Sequence, residues 1–177
     1  MRLFRSSNRI DSFWELAQSF HGMACPLLAL GVRICDTALS KLQLENPEPG
    51  RLVCVSEFDG CCVDAIQACL HCTTGTKHLL FYKTGKLIFN VYDLSTGASV
   101  RMCALPRLAD TIRGTDPKEI LNAPVEDLFT FEQAHPLTSR TLRKVTRTCS
   151  TPGPAIPSRT SGVQDCPDQF RKFDIPN

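Results

Sequence analysis

No uninterrupted apolar run in this sequence approaches the roughly 18 residues that a membrane-spanning helix needs. The first five residues carry two positive charges, Arg2 and Arg5, but Ser6, Ser7, Asn8, Arg9 and Asp11 break any apolar stretch behind them, so no secretory signal is expected. The expected compartment is therefore the cytoplasm, with no membrane partner, and there thiols stay reduced. Neither sign of charge dominates: 20 basic residues stand against 18 acidic ones, a net charge of +2. There is no internal repeat, no glycine-rich nucleotide loop, no serine triad and no paired-carboxylate hydrolase motif, which removes those enzyme classes.

Cysteine, by contrast, is plentiful. Ten in 177 residues fall below the roughly 8–10% of a small disulfide scaffold, yet exceed what core filling alone explains. In a reducing compartment such a set reads as metal-binding or catalytic.

The charge divides unevenly. Residues 136–177 carry seven basic and three acidic side chains and many Pro, Ser and Thr, while residues 1–135 hold the apolar patterning. The expectation is a folded domain over 1–135 and a basic, weakly ordered tail over 136–177. That tail lacks aromatic interleaving and any reading motif, which argues against nucleic acid as a partner.

Within the first 135 residues, apolar spacing predicts helices over 11–20, 25–44 and 61–72. Strands are predicted over 51–58, 78–83, 86–93 and 98–105, the last three as an antiparallel meander turning at Thr84-Gly85 and Ser95-Thr96-Gly97. Asp116, Pro117 and Glu119 predict a short helix near 117–122. Helices followed by a mostly antiparallel sheet make an α+β fold, with N-terminal helices packed on the sheet. Ala29 and Gly31 are small enough to let another backbone approach the second helix.

Three segments concentrate the polar chemistry. Phe20-His21-Gly22-Met23-Ala24-Cys25-Pro26 places His21 in a loop and Cys25 at the mouth of a helix. Glu57-Phe58-Asp59-Gly60-Cys61-Cys62-Val63-Asp64 puts Glu57 and Asp59 on one face of a strand end and Cys61 at the start of the next helix. Cys69-Leu70-His71-Cys72 is the third. A helix N-terminus favours the thiolate, which is both metal ligand and nucleophile, so Cys25 and Cys61 stand apart from the other cysteines. With His21 they make a three-ligand set for zinc or another borderline or soft metal, leaving a fourth position for water, Asp59 or a substrate. On a straight helix Cys72 would lie roughly 16 Å from Cys61, so it joins that set only if the helix ends before it. Cys62, Ile66 and Cys69 share a stripe that reads as core packing. Two other readings stay open. One is a thiol enzyme with Cys61 as nucleophile and Asp59 or Asp64 in acid–base roles. The other is a structural, partner-binding protein whose site has decayed.

The run from Phe20 to Arg33 resembles the opening motif of the E-subunit family of formylmethanofuran dehydrogenase, which reads Phe-His-Gly-His-x-Cys-Pro-Gly-Leu-x-Leu-Gly. Glu57-x-Asp59-x-Cys61-x-Val63-Asp64-Ala65-Ile66-Gln67 resembles the family's second motif. Cys72 and the pattern of Phe81, Tyr82, Gly85 and Lys86 also fit. The resemblance covers about residues 12–110. It implies an α+β core forming an intertwined homodimer, association with a larger oxidoreductase complex, and a metal pocket built from the His-Gly and Asp-x-Cys motifs; Cys72 is a further candidate ligand beside His21, Cys25 and Cys61. A divalent ion would fill the pocket, zinc first, with iron or nickel as the other candidates. Three departures matter. Met23 stands where the family has its second histidine, Leu27 replaces the glycine after Cys-Pro, and Gly75-Thr76-Lys77-His78 replaces Gly-Lys-Gly-Asn. Cys149 and Cys166 resemble the remains of the family's C-terminal zinc ribbon, with Pro152 and Gln169 where their partner cysteines would stand.

Overall fold

The computed structural model describes residues 6–135. The expected tail, with Cys149 and Cys166, lies outside the described residues.

The second helix, α2 (Pro26–Lys41), organises the rest. Pro26 fits the first helical position, and Leu28 through Leu39 are buried without a break. A helix apolar on nearly every side must be enclosed by other elements. Helix α1 (Ser6–His21), α3 (Cys62–Leu70) and α5 (Pro117–Asn122) enclose it, with α4 (Pro106–Thr111) and a 3-10 turn (Ile112–Gly114) at the margin. Arg9 ties α1 to α2: its Nε donates to Asp36 Oδ1 at 2.7 Å and its Nη2 to Ser40 Oγ at 2.7 Å. Arg33 Nη2 donates to the Ala123 carbonyl at 2.7 Å, just beyond α5.

The contact of α2 with α3 is the closest. A Cβ at Gly31 would stand 2.5 Å from the Cys62 carbonyl oxygen and 2.8 Å from the Ala65 Cβ. The small residue expected to admit another backbone therefore does so, against α3. Helix α3 stops sooner than the spacing suggested: His71 takes a left-handed conformation (φ 56°) and ends it at Leu70.

The helices lie on one face of a five-stranded sheet. Its strands are β1 (Leu52–Ser56), β2 (Leu79–Phe81), β3 (Ile88–Asp93), β4 (Ser99–Ala104) and β5 (Phe129–Glu132), in the order β2-β1-β3-β4-β5. Cys54, Val91 and Val100 form one cross-strand row towards the helices; Phe89, Met102 and Phe131 form the next. The fold is α+β with a mostly antiparallel sheet, as expected.

One part of the expected topology is corrected. β2 does not turn back on β3; it pairs in parallel with β1, Cys54 opposite Leu79, and β1 separates β2 from β3. The cause is α3, which carries the chain back so that β2 starts at the same end as β1. The Thr84-Gly85 segment is no hairpin turn either. Both amides donate to the Glu57 carbonyl at 3.1 Å, which fastens the connection to the end of β1. The Ser95-Thr96-Gly97 turn between β3 and β4 is as expected, with Gly97 at φ 74° and the Asp93 carboxylate accepting from Ser95 N and Thr96 Oγ1, each at 2.9 Å. The short α6 (Val125–Leu128) leads directly into β5. No described helix is long and apolar enough to cross a membrane.

Candidate metal centre

Two local features set the first pair of side chains. Gly22 ends α1 in a conformation only glycine takes freely (φ 86°), its N–H donating to the Gln18 carbonyl at 2.8 Å, so His21 stays on the last turn of α1. Met23 and Ala24 cross to Cys25, an extended N-cap residue whose Sγ accepts the Leu28 N–H at 3.3 Å. The third side chain arrives through the close α2–α3 contact, which brings Cys61, at the start of α3, beside the start of α2.

One donor atom each from His21, Cys25 and Cys61 lie within 4.8 Å of one another, all three residues half-buried. Among the described residues this is the set of three His, Cys, Asp or Glu donors brought so close. Cys25 Sγ lies 3.8 Å from His21 Nε2. On the other side of the ring, His21 Nδ1 is 2.6 Å from Asp64 Oδ2. A proton on Nδ1 donated to that carboxylate leaves the Nε2 lone pair facing Cys25. This is the arrangement by which an outer carboxylate fixes the tautomer of a ligating histidine. The sequence marked Asp64 as an acid–base candidate; its tie to His21, 43 residues away, is new in the structure.

The two thiols are not equivalent. Cys25 meets the backbone N–H of α2 as expected, but Cys61 makes no side-chain cap, and burial together with the neighbouring Cys25 thiol raises its pKa. The lowering expected from a helix N-terminus is not seen at Cys61, where desolvation disfavours the thiolate.

The other candidates are placed elsewhere. Cys72 is fully buried, donates to the Leu52 carbonyl at 3.3 Å, and is pushed up to about 12 by burial, so it is not brought to the three-donor group. Asp59 is exposed and pairs with Lys83 at 2.8 Å, which holds its carboxyl below the ordinary range. Glu57 does not share its face. β1 ends at Ser56, so the alternation stops, and Glu57 turns inward to accept from Arg101 Nη1 and Thr84 Oγ1, each at 2.9 Å. Cys62 and Cys69 are buried thiols, as their shared stripe suggested, and Cys35 and Cys54 are buried as well. Met23 stands out to solvent, 62% exposed.

One imidazole and two sulfurs fit a borderline or soft metal ion. Three comparisons relate the chain to known proteins. A probable S-adenosyl-L-methionine-binding protein of Archaeoglobus fulgidus is 34% identical over 90 residues, which are 49% of this chain and 25% of the relative. The chain thus spans a quarter of the length of that curated relative. The crystal structure of a tungsten formylmethanofuran dehydrogenase FmdE-like protein from Syntrophus aciditrophicus superimposes with a TM-score of 0.58 over 75% of each chain at 24% identity, a shared fold. Residues 20–130, which contain His21, Cys25, Cys61 and Asp64, match the family described as FmdE, Molybdenum formylmethanofuran dehydrogenase operon, and the chain belongs to that family.

Proposed function

We propose that this protein is a metal-binding, FmdE-like module of the formylmethanofuran dehydrogenase type, with an accessory or sensing role. The observation that carries the reading is the convergence of His21, Cys25 and Cys61 donors within 4.8 Å, backed by Asp64 on the far nitrogen of His21. His21, Cys25 and Cys61 would hold a transition metal ion, with zinc, iron and nickel as candidates, and a position left for water or an incoming group. When bound, the ion would supply Lewis acidity or a fixed charge at the mouth of α2. The protein's own part is to fix the imidazole through Asp64 and to hold two sulfurs on separate helices. We place it in the cytoplasm as a homodimer within a larger oxidoreductase complex, with residues 1–135 as its domain and 136–177 as an appended basic tail. Elemental analysis after anaerobic purification with zinc, iron or nickel is the test. About one ion per chain, lost in His21→Ala and in Cys61→Ser, is expected. Equal metal content in wild type and both variants contradicts the reading.

A thiol-enzyme reading has one observation in its favour. Cys25, His21 and Asp64 form a line of thiol, imidazole and carboxylate, with 3.8 Å and 2.6 Å between them. This moves the nucleophile from Cys61, whose thiol is raised by burial, to Cys25. Alkylation of the chelator-treated protein separates the readings. Rapid labelling of Cys25 that slows in Asp64→Asn supports a thiol enzyme, and labelling at the rate of an ordinary thiol contradicts it.

A further inference from the structure

The polar groups around the three donors are already engaged. Asp64 is taken by His21 Nδ1 at 2.6 Å, and Asp59 by Lys83 at 2.8 Å. Cys62, beside Cys61 in the chain, is buried with its Sγ 3.9 Å from the Gly60 carbonyl, and Cys72 serves the Leu52 carbonyl. A protein-built tetrahedral centre needs a fourth nitrogen, sulfur or oxygen donor, and none of these side chains is placed to give it.

Met23 is the donor that remains in the connecting turn. It lies two residues from His21 and two from Cys25, and it is 62% exposed, although methionine is ordinarily a core side chain. Its three rotatable side-chain bonds let the thioether swing. The neighbouring Gly22 has nothing within 4 Å of the place a Cβ would occupy, so the turn has room on that side.

We propose that Met23 supplies its thioether as the fourth donor to an ion held by His21, Cys25 and Cys61, and so biases the site toward monovalent copper over zinc. The inference rests on the metal-binding reading above and fills from the protein the position that reading leaves to water or an incoming group. A thioether is a soft, uncharged donor that stabilises monovalent copper and adds little to zinc, so it shifts the choice between ions. The side chain turns inward from its exposed position when the ion is bound.

The test compares the full chain with Met23→Leu and Met23→His, using anaerobic competition against chromophoric chelators for monovalent copper and, separately, for zinc. Met23→Leu is expected to lose about tenfold in copper affinity while zinc affinity stays within about twofold. Met23→His is expected to strengthen zinc binding by about tenfold. X-ray absorption at the copper edge gives a second readout: three sulfur neighbours in wild type and two in Met23→Leu. Met23 is exposed, so neither substitution disturbs the core. Equal copper affinity and equal sulfur counts in wild type and Met23→Leu overturn this inference, while loss of binding in His21→Ala and Cys61→Ser leaves the three-donor site standing. If those two variants bind both ions as wild type does, the site itself falls, and the role of Met23 with it.

Discussion

Asp64 has no hydrogen bond to the sulfurs and reaches the site through His21, 2.6 Å from its Nδ1. Removing its charge frees the imidazole to rotate or change tautomer. Asp64→Asn is therefore expected to weaken metal binding by about 10–100-fold with little change in stability, since losing an outer partner of a ligating histidine has effects of that size. Competition titration of the variant against wild type checks this; unchanged affinity would mean that the 2.6 Å contact to His21 only packs the surface. Asp93 belongs to the sheet instead. Arg51 donates to both its oxygens, at 3.1 and 2.9 Å, and with the Ser95 amide and the Thr96 hydroxyl holds its carboxyl at about 2, below the ordinary 3.8. A carboxyl with a lowered folded-state pKa stabilises the fold above about pH 4, and that contribution disappears as pH falls through about 2. Urea denaturation should therefore show about 2 kcal/mol of acid-sensitive stability that Asp93→Asn lacks; parallel pH profiles for the two proteins would contradict it. At this scale the sequence was partly legible. His21 and Cys25 share one short segment, and their chemistry is visible from spacing. The pairing of His21 with Asp64, and the raised thiol of Cys61, depend on which helices meet, which no local pattern encodes.

The helix pair α2–α3 is the element on which the site depends. Gly31 lies against the Cys62 carbonyl, so a methyl group there meets backbone that cannot yield as a side-chain tip would. Gly31→Ala is expected to push the helices apart, cost about 1–3 kcal/mol of stability, and weaken metal binding by carrying Cys61 away from Cys25. Thermal unfolding and metal titration of the same variant check both effects; a stable protein with full affinity would show that the two helices adjust independently of the site. A smaller effect is expected at α5, where Asp116 accepts the Lys118 amide at 2.8 Å: Asp116→Ala should cost about 1 kcal/mol and leave the metal site unchanged. The capped and strongly periodic helices were legible from sequence, α2 from its proline and its apolar run, α5 from Asp116 and Pro117. Strand positions were legible too, but not all strand partners. β2 is three residues long, and its parallel pairing follows from the crossover through α3 rather than from its own residues. β5, α4 and α6 are four to six residues each and carry too few apolar positions to show a period.

For the whole molecule, seven of the ten cysteines that mark the sequence divide into two groups within the described domain. Cys35, Cys54, Cys62, Cys69 and Cys72 are buried in the described domain, where desolvation holds the thiol form of Cys35, Cys54, Cys62 and Cys72. Cys25 and Cys61 are half-buried and converge on His21. That division is the central claim, and one measurement tests it directly: anaerobic titration with cobalt(II), a spectroscopic stand-in for zinc, of the full chain and of Cys25→Ser, Cys61→Ser and Cys72→Ser variants. The predicted result is thiolate-to-metal absorption saturating at about one ion per chain in wild type and Cys72→Ser, and its loss in Cys25→Ser and Cys61→Ser. Absorption that survives in Cys25→Ser and Cys61→Ser but disappears in Cys72→Ser would contradict it.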